Sequence, residues 1–143
     1  MNDPELSTKV TQWIHYGEDD LRLARYAAAM GEECPWRLVA CHAQQAAEKW
    51  LKALLVCHRI DFPYTHNIRL LLELCAPLTS WGESLAAAEE LTPFATSLRY
   101  PGEEEQVLPA EATRAIELAE AVRQRVQMHL AERGLGWDIS ATD

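Results

Sequence analysis

The amino-acid sequence predicts an all-α fold, an antiparallel up-down bundle of four to five helices. Three observations point there. Apolar residues recur at three- and four-residue steps over long stretches, which is the period of a helix face. Strand signals are missing: there is no run of alternating β-branched residues, and no Asn-Gly or Asp-Gly turn lies between apolar segments. Glycine and proline fall mostly where a helical pattern starts or stops, so the connections are mostly short and favour antiparallel neighbours.

Asp3-Pro4-Glu5 opens the first helix with a capping oxygen, a proline whose missing N–H costs nothing there, and an early acid. Val10, Trp13, Ile14, Gly17, Leu21, Ala24 and Ala28 then form one apolar stripe that runs up to Gly31. Pro35 begins a second helix, rich in Ala, Leu, Gln, Glu and Lys, that extends to about His58. Ile60 to Thr65 contains Pro63 and reads as a loop. His66-Asn67 then offers side chains to cap a short helix carrying Ile68, Leu71, Leu72 and Cys75 before Pro77. Ser80-Trp81-Gly82-Glu83 has the spacing of a capping box, which predicts a helix to Leu91, an interruption at Pro93 and a brief resumption towards Arg99. Pro101-Gly102 ends it, and Glu103, Glu104 and Glu105 make an acidic connector. Pro109 opens the last helix, whose stripe is Ala112, Ala115, Ile116, Ala119, Val122 and Val126 and which stops before Gly134. One domain over residues 1–133 and a flexible tail over 134–143 are expected.

Composition bounds the function. A chain of 143 residues with 48% hydrophobic content suits a single core, able to bury roughly two-thirds of the surface its unfolded form exposes. Thirteen Lys and Arg against twenty-two Asp and Glu leave a net charge of -9, so the average surface repels a phosphate backbone and only a local basic patch could attract one. Apolar runs such as Ala53–Cys57 are far too short to span a membrane. Met1 to Thr8 carry no export signal, and a cytoplasmic location is the default expectation. Cys34, Cys41, Cys57 and Cys75 show no Cys-x-x-Cys spacing and read as free, buried thiols. No set of histidines and carboxylates has metal-ligand spacing, so neither a metal nor another cofactor is expected.

Placing residues at 100° intervals around the second helix puts Val39, Ala43, Ala46, Ala47, Trp50, Ala53, Leu54 and Cys57 on one arc, the core face. The opposite arc carries Gln45, Glu48, Lys49 and Lys52, with His42 at its edge, and also Leu38, Cys41 and Val56. Such a mixed arc suits a partner helix or a ligand; an ordinary wet face whose lysine stems cover apolar atoms is the plainer alternative.

The run from His42 to Leu55, with Gln44-Gln45-Ala46-Ala47-Glu48-Lys49-Trp50 at its centre, resembles the signature helix of the HEPN domain, the higher eukaryote and prokaryote nucleotide-binding family. Trp13 with Asp19-Asp20-Leu21 and Ala24 resembles that family's first helix. His66-Asn67-Ile68 with Leu71-Leu72 resembles the start of its third, and Leu98-Arg99-Tyr100-Pro101 its Arg-Tyr-Pro segment. The resemblance covers about residues 8–130. It implies a helical bundle that commonly forms a homodimer, is often encoded beside a small nucleotidyltransferase, and associates with nucleotide or RNA. Many members are toxins of toxin-antitoxin pairs that cleave RNA without metal through an Arg-x(4-6)-His motif near the dimer interface.

Arg37 to His42 satisfies that spacing, but at the start of the second helix, whereas the resemblance places the motif near the last core helix. Arg99 is followed by no histidine at the required distance. Five helical steps also set Arg37 and His42 about 140° apart around the axis, so one chain does not bring them to one face. The first functional reading is a homodimeric binding module, in which His42, Gln45, Lys49, Lys52, Arg99 and Tyr100 engage a nucleotide or a nucleotidyltransferase partner. The second is a metal-independent endoribonuclease acting as a dimer, with Arg37, His42 and Arg99 as catalytic candidates. A third, a purely structural bundle, would leave these residues as surface. His66 is expected to be a helix cap, Trp13, Trp50 and Trp81 to be core, and His15, His58 and His129 to carry no motif.

Overall fold

The computed structural model describes residues 3–95 and 106–135. It contains four α-helices: α1 (Pro4–Ala28), α2 (Trp36–Cys57), α3 (Ile68–Cys75) and α4 (Pro109–Glu132). Short 3₁₀ segments cover Gly31–Glu33, Ala76–Leu78 and Ala86–Phe94, and no strand occurs among the described residues. The Arg99-Tyr100-Pro101 segment, the acidic stretch Glu103–Glu105 and the expected tail beyond Leu135 lie outside the described residues.

Helix α1 starts where the cap predicts. Asp3 Oδ1 accepts hydrogen bonds from the Glu5 and Leu6 amides at 3.0 and 3.3 Å. The chain leaves the helix before Gly31, whose φ of 77° lies in the left-handed region that glycine adopts without penalty. At α3 the N-cap is Asn67, whose Oδ1 accepts from the Leu70 amide at 3.2 Å, while Thr92 Oγ1 accepts from the Ile68 amide at 3.1 Å. His66 is not a cap, and its imidazole turns instead to α2.

Between Ser80 and Phe94 the structure departs from expectation. No capping box forms; Ser84 Oγ instead donates to the Trp81 carbonyl at 2.6 Å. The α-helix expected there is a 3₁₀ segment that runs through Pro93. Its buried residues explain the winding, because Leu85, Ala88 and Leu91 recur every third position and line up along one edge of a three-residue turn.

Helix α2 is the centre of the molecule and packs against α1, α3, α4 and the 3₁₀ segment Ala86–Phe94. Ala43, Ala46, Ala47 and Ala53 are wholly buried, and their small side chains let α2 sit inside the bundle. Leu51 and Leu55 are buried as well, so the core covers more of its circumference than one arc. Gly17 of α1 lies against the Trp50 indole so closely that a Cβ there would stand 2.6 Å from Trp50 Nε1. Helices α1 and α4 are tied by a buried bidentate pair, Arg123 donating to Glu18 at 2.5 and 2.9 Å, with Arg25 and Glu120 paired nearby.

Candidate functional site

Along the flank of α2 that meets α1 and the loop before α3, polar side chains gather around two carboxylates. The first is Asp20. It falls on the apolar stripe of α1, three residues after Gly17 and four before Ala24, and is therefore drawn to the α2 interface. Its Oδ1 lies 2.9 Å from His42 Nδ1, and its Oδ2 accepts from Lys49 Nζ. One acid on α1 thus holds two side chains of α2 that are two turns apart. The imidazole and the ammonium stay partly open, with side-chain exposures of 32% and 23%.

The second carboxylate is Glu48, almost fully buried. It accepts from Lys52 Nζ at 3.0 Å and from Gln44 Nε2 at 3.2 Å, and lies 2.8 Å from His66 Nδ1. Lys52 has further partners: the Thr65 carbonyl at 3.0 Å, and the Trp13 and Phe62 rings at 5.7 and 5.6 Å. A buried ammonium demands such company, since an unpaired one costs several kcal/mol. Gln44 also donates to the His66 carbonyl at 2.9 Å, and Gln45 donates to Gln44 Oε1 at 2.7 Å and to the Ala95 carbonyl at 3.4 Å.

Cys41 sits between these centres. Burial raises its thiol pKa first, and the Asp20 carboxylate adds to that, against the opposing Arg37 and Lys49 charges. The thiol stays protonated at neutral pH and is a poor nucleophile there.

The structure therefore brings His42 and Lys49 together through Asp20 and places Gln45 on the same flank. Lys52, expected on an open arc, is instead 5% exposed and committed to Glu48 and Thr65. The reason is that α3 and the loop before it cover that end of the arc. Arg37 is exposed, one and a half turns before His42. Arg99 and Tyr100 lie outside the described residues; Ala95, bonded to Gln45, is four positions before Arg99.

Asp20, Gln44, Glu48 and His66 are the members that sequence reading did not assign to the site. For Asp20 and Gln44 the available signal is a polar residue at an apolar helix position. Gln44 falls among Ala40, Ala47 and Leu51, where a buried amide must find partners. A second stretch has the ribonuclease spacing: Arg123 and His129, with five residues between them, both in the last helix. Six steps set them about 120° apart around α4. Arg123 is bound to Glu18, whereas His129 meets His58 at the end of α2, so the two do not converge within one chain.

The HEPN domain model matches residues 10–129. Two solved structures share the fold, ST0689, an archaeal HEPN homologue, and TT1696 from Thermus thermophilus. Each aligns at 26% identity with a TM-score of 0.69, over 85% of this chain and 98% of its own. No curated protein matches the chain. With the family model spanning the whole bundle from α1 to the last turn of α4, and the signature helix forming its buried centre, the chain belongs to the HEPN domain family.

Proposed function

We propose that this chain is a homodimeric, cytoplasmic HEPN binding module whose α2 flank, built from His42, Gln45 and Lys49, receives a nucleotide. The module acts beside a nucleotidyltransferase partner, in a toxin-antitoxin-like pair. The observation that carries this reading is Asp20 holding both His42 and Lys49 at a half-open edge. Asp20 occupies His42 Nδ1, which leaves Nε2 for a ligand, and a lysine ammonium stands beside it for a phosphate. Gln45 ties the patch to Ala95, from which the chain continues to Arg99 and Tyr100. Lys52 serves as support, locking Glu48 beneath the patch.

Titration of the full chain with a nucleoside triphosphate, followed by amide and histidine NMR signals, tests this. Saturable shifts at His42, Gln45 and Lys49, reduced by Lys49→Gln, are expected. Shifts confined to distant residues, or a monomer by light scattering, count against it.

The same dyad favours a second reading, the metal-independent endoribonuclease. A carboxylate on Nδ1 fixes the imidazole with Nε2 unprotonated, the form a general base needs. The cation for the phosphorane charge would come from Arg37 or Arg99 of a second copy. This reading expects RNA cleavage in the presence of a chelator, lost in His42→Ala. Intact RNA after long incubation with a verified dimer rejects it.

A further inference from the structure

About sixteen residues beyond His42, roughly 24 Å along the α2 axis, the bundle carries a second cluster of titratable groups. His58, the C-cap of α2, and His129, in the last turn of α4, meet with their Nε2 atoms 2.8 Å apart and ring centroids 5.1 Å apart. One Nε2–H donates to the bare Nε2 of the other ring, so the contact lasts while at least one ring keeps that nitrogen unprotonated. Trp81 braces His129 edge-on, centroids 6.3 Å apart. Beside the pair opens a cavity of about 810 Å³, whose lining includes Arg59, Thr79, Ser80, His129 and Arg133.

The charges decide what suits this cavity. Arg59 and Arg133 stand against one lining carboxylate, Glu132, in a chain whose net charge is -9. Arg59 shares an exposed ion pair with Asp3 at 3.3 Å, and Cys57 stays a thiol because burial raises its pKa. Among the described residues, these and the imidazoles themselves are the charged and titratable groups that the cavity lining and the pair's ion partners supply. The 3₁₀ segment Ala76–Leu78 brings none. A metal ion would meet two guanidinium charges and two imidazoles, and among the described residues no three ligating groups lie together. An anion would meet two guanidinium groups, the His129 imidazole and the Thr79 and Ser80 hydroxyls.

We infer that this cavity is a binding site for a phosphate monoester dianion, held by Arg59, Arg133 and His129, the last hydrogen-bonded to His58. The site is separate from the α2 flank and does not depend on it. Because burial and Arg133 hold both imidazoles below the usual histidine range, the empty pair is neutral at pH 7. A dianion favours imidazolium, so above the ligand's own second pKa, about 6 for a monoester, binding takes up a proton and tightens as the pH falls from about 8. Protonation of the accepting Nε2 breaks the ring-to-ring bond and frees the His129 Nε2–H for a ligand oxygen.

The test uses the full chain with inorganic phosphate and ribose 5-phosphate as probes, read by histidine side-chain NMR at about pH 6 and pH 8. Expected are saturable shifts of the His58 and His129 rings, weaker binding at the higher pH, and a loss on the order of tenfold in Arg133→Gln. Arg133 is exposed, so that variant keeps the fold; circular dichroism verifies it. Rings that respond to neither probe, an equal response to chloride, or undiminished binding in Arg133→Gln each overturn the site. Shifts at His42 alone support the flank reading and likewise overturn this one.

Discussion

Asp20 and Glu48 show how a single carboxylate organises a helical flank. Each answers more than one donor of α2, Asp20 from the apolar stripe of α1 and Glu48 from the arc of α2 that α3 and its loop cover. The cysteines follow the same logic of surroundings. Burial pushes the Cys75 thiol up to about 12, and Cys34 and Cys57 are also buried, whereas Cys41 is half-exposed between two acids. Native protein treated with a thiol reagent near neutral pH is expected to react first at Cys41, more slowly than a free thiol, with all four accessible only after unfolding. Rapid labelling of Cys75 in the native state would contradict this burial.

Gly17 and Trp50 set how closely α1 approaches α2. Gly17→Ala gains helix propensity, about 1 kcal/mol, but puts a methyl against the indole at 2.6–3.0 Å. Overpacking of this kind typically costs about 1–3 kcal/mol, so a net loss of stability in urea unfolding is expected. The contact between the ends of α2 and α4 carries a pH dependence. Burial first, then Arg133, lowers the His58 and His129 pKa values in the folded chain. As the pH falls below about 6.5, the unfolded chain binds protons before the folded one does, so this stabilisation is complete above that pH and is lost down through the lowered folded values. In phosphate-free buffer, His58→Asn is therefore expected to show a smaller fall in melting temperature than the parent between about pH 7.5 and 5.5.

Arg123 and Glu18 join the last helix to the first across 105 positions of sequence, and both are buried. Removing one partner leaves a charge in the core. Arg123→Met should cost about 3–5 kcal/mol, whereas the double change Glu18→Leu with Arg123→Met should restore much of that loss. Additive losses in a double-mutant cycle by chemical denaturation would show that the pair is not coupled. For the molecule as a whole, the acidic balance still leaves two places where cations meet solvent, the Lys49 edge beside Asp20 and the Arg59–Arg133 cavity beside Asp3 and Glu132, at different heights on α2. No helix among the described residues is long and apolar enough to cross a membrane.

The helices were legible because their signals are local. Asp3, Pro4 and Gly31 bound α1, the His42–Leu55 run marks α2, and Pro109 with the alanine stripe marks α4. His42, Lys49 and Gln45 could be placed on one flank from helical spacing alone. What covers that flank could not, because α3 and its loop reach Glu48 and Lys52 only through contacts made in three dimensions. Hydrogen-bond partners 22 to 29 positions away, Asp20 for His42 and Lys49, His66 for Gln44, follow from how helices pack and not from periodicity. Likewise the spacing of Arg123 and His129 fits the ribonuclease pattern and the helical period sets them about 120° apart, but that one meets α1 and the other the end of α2 follows from the packing of α4.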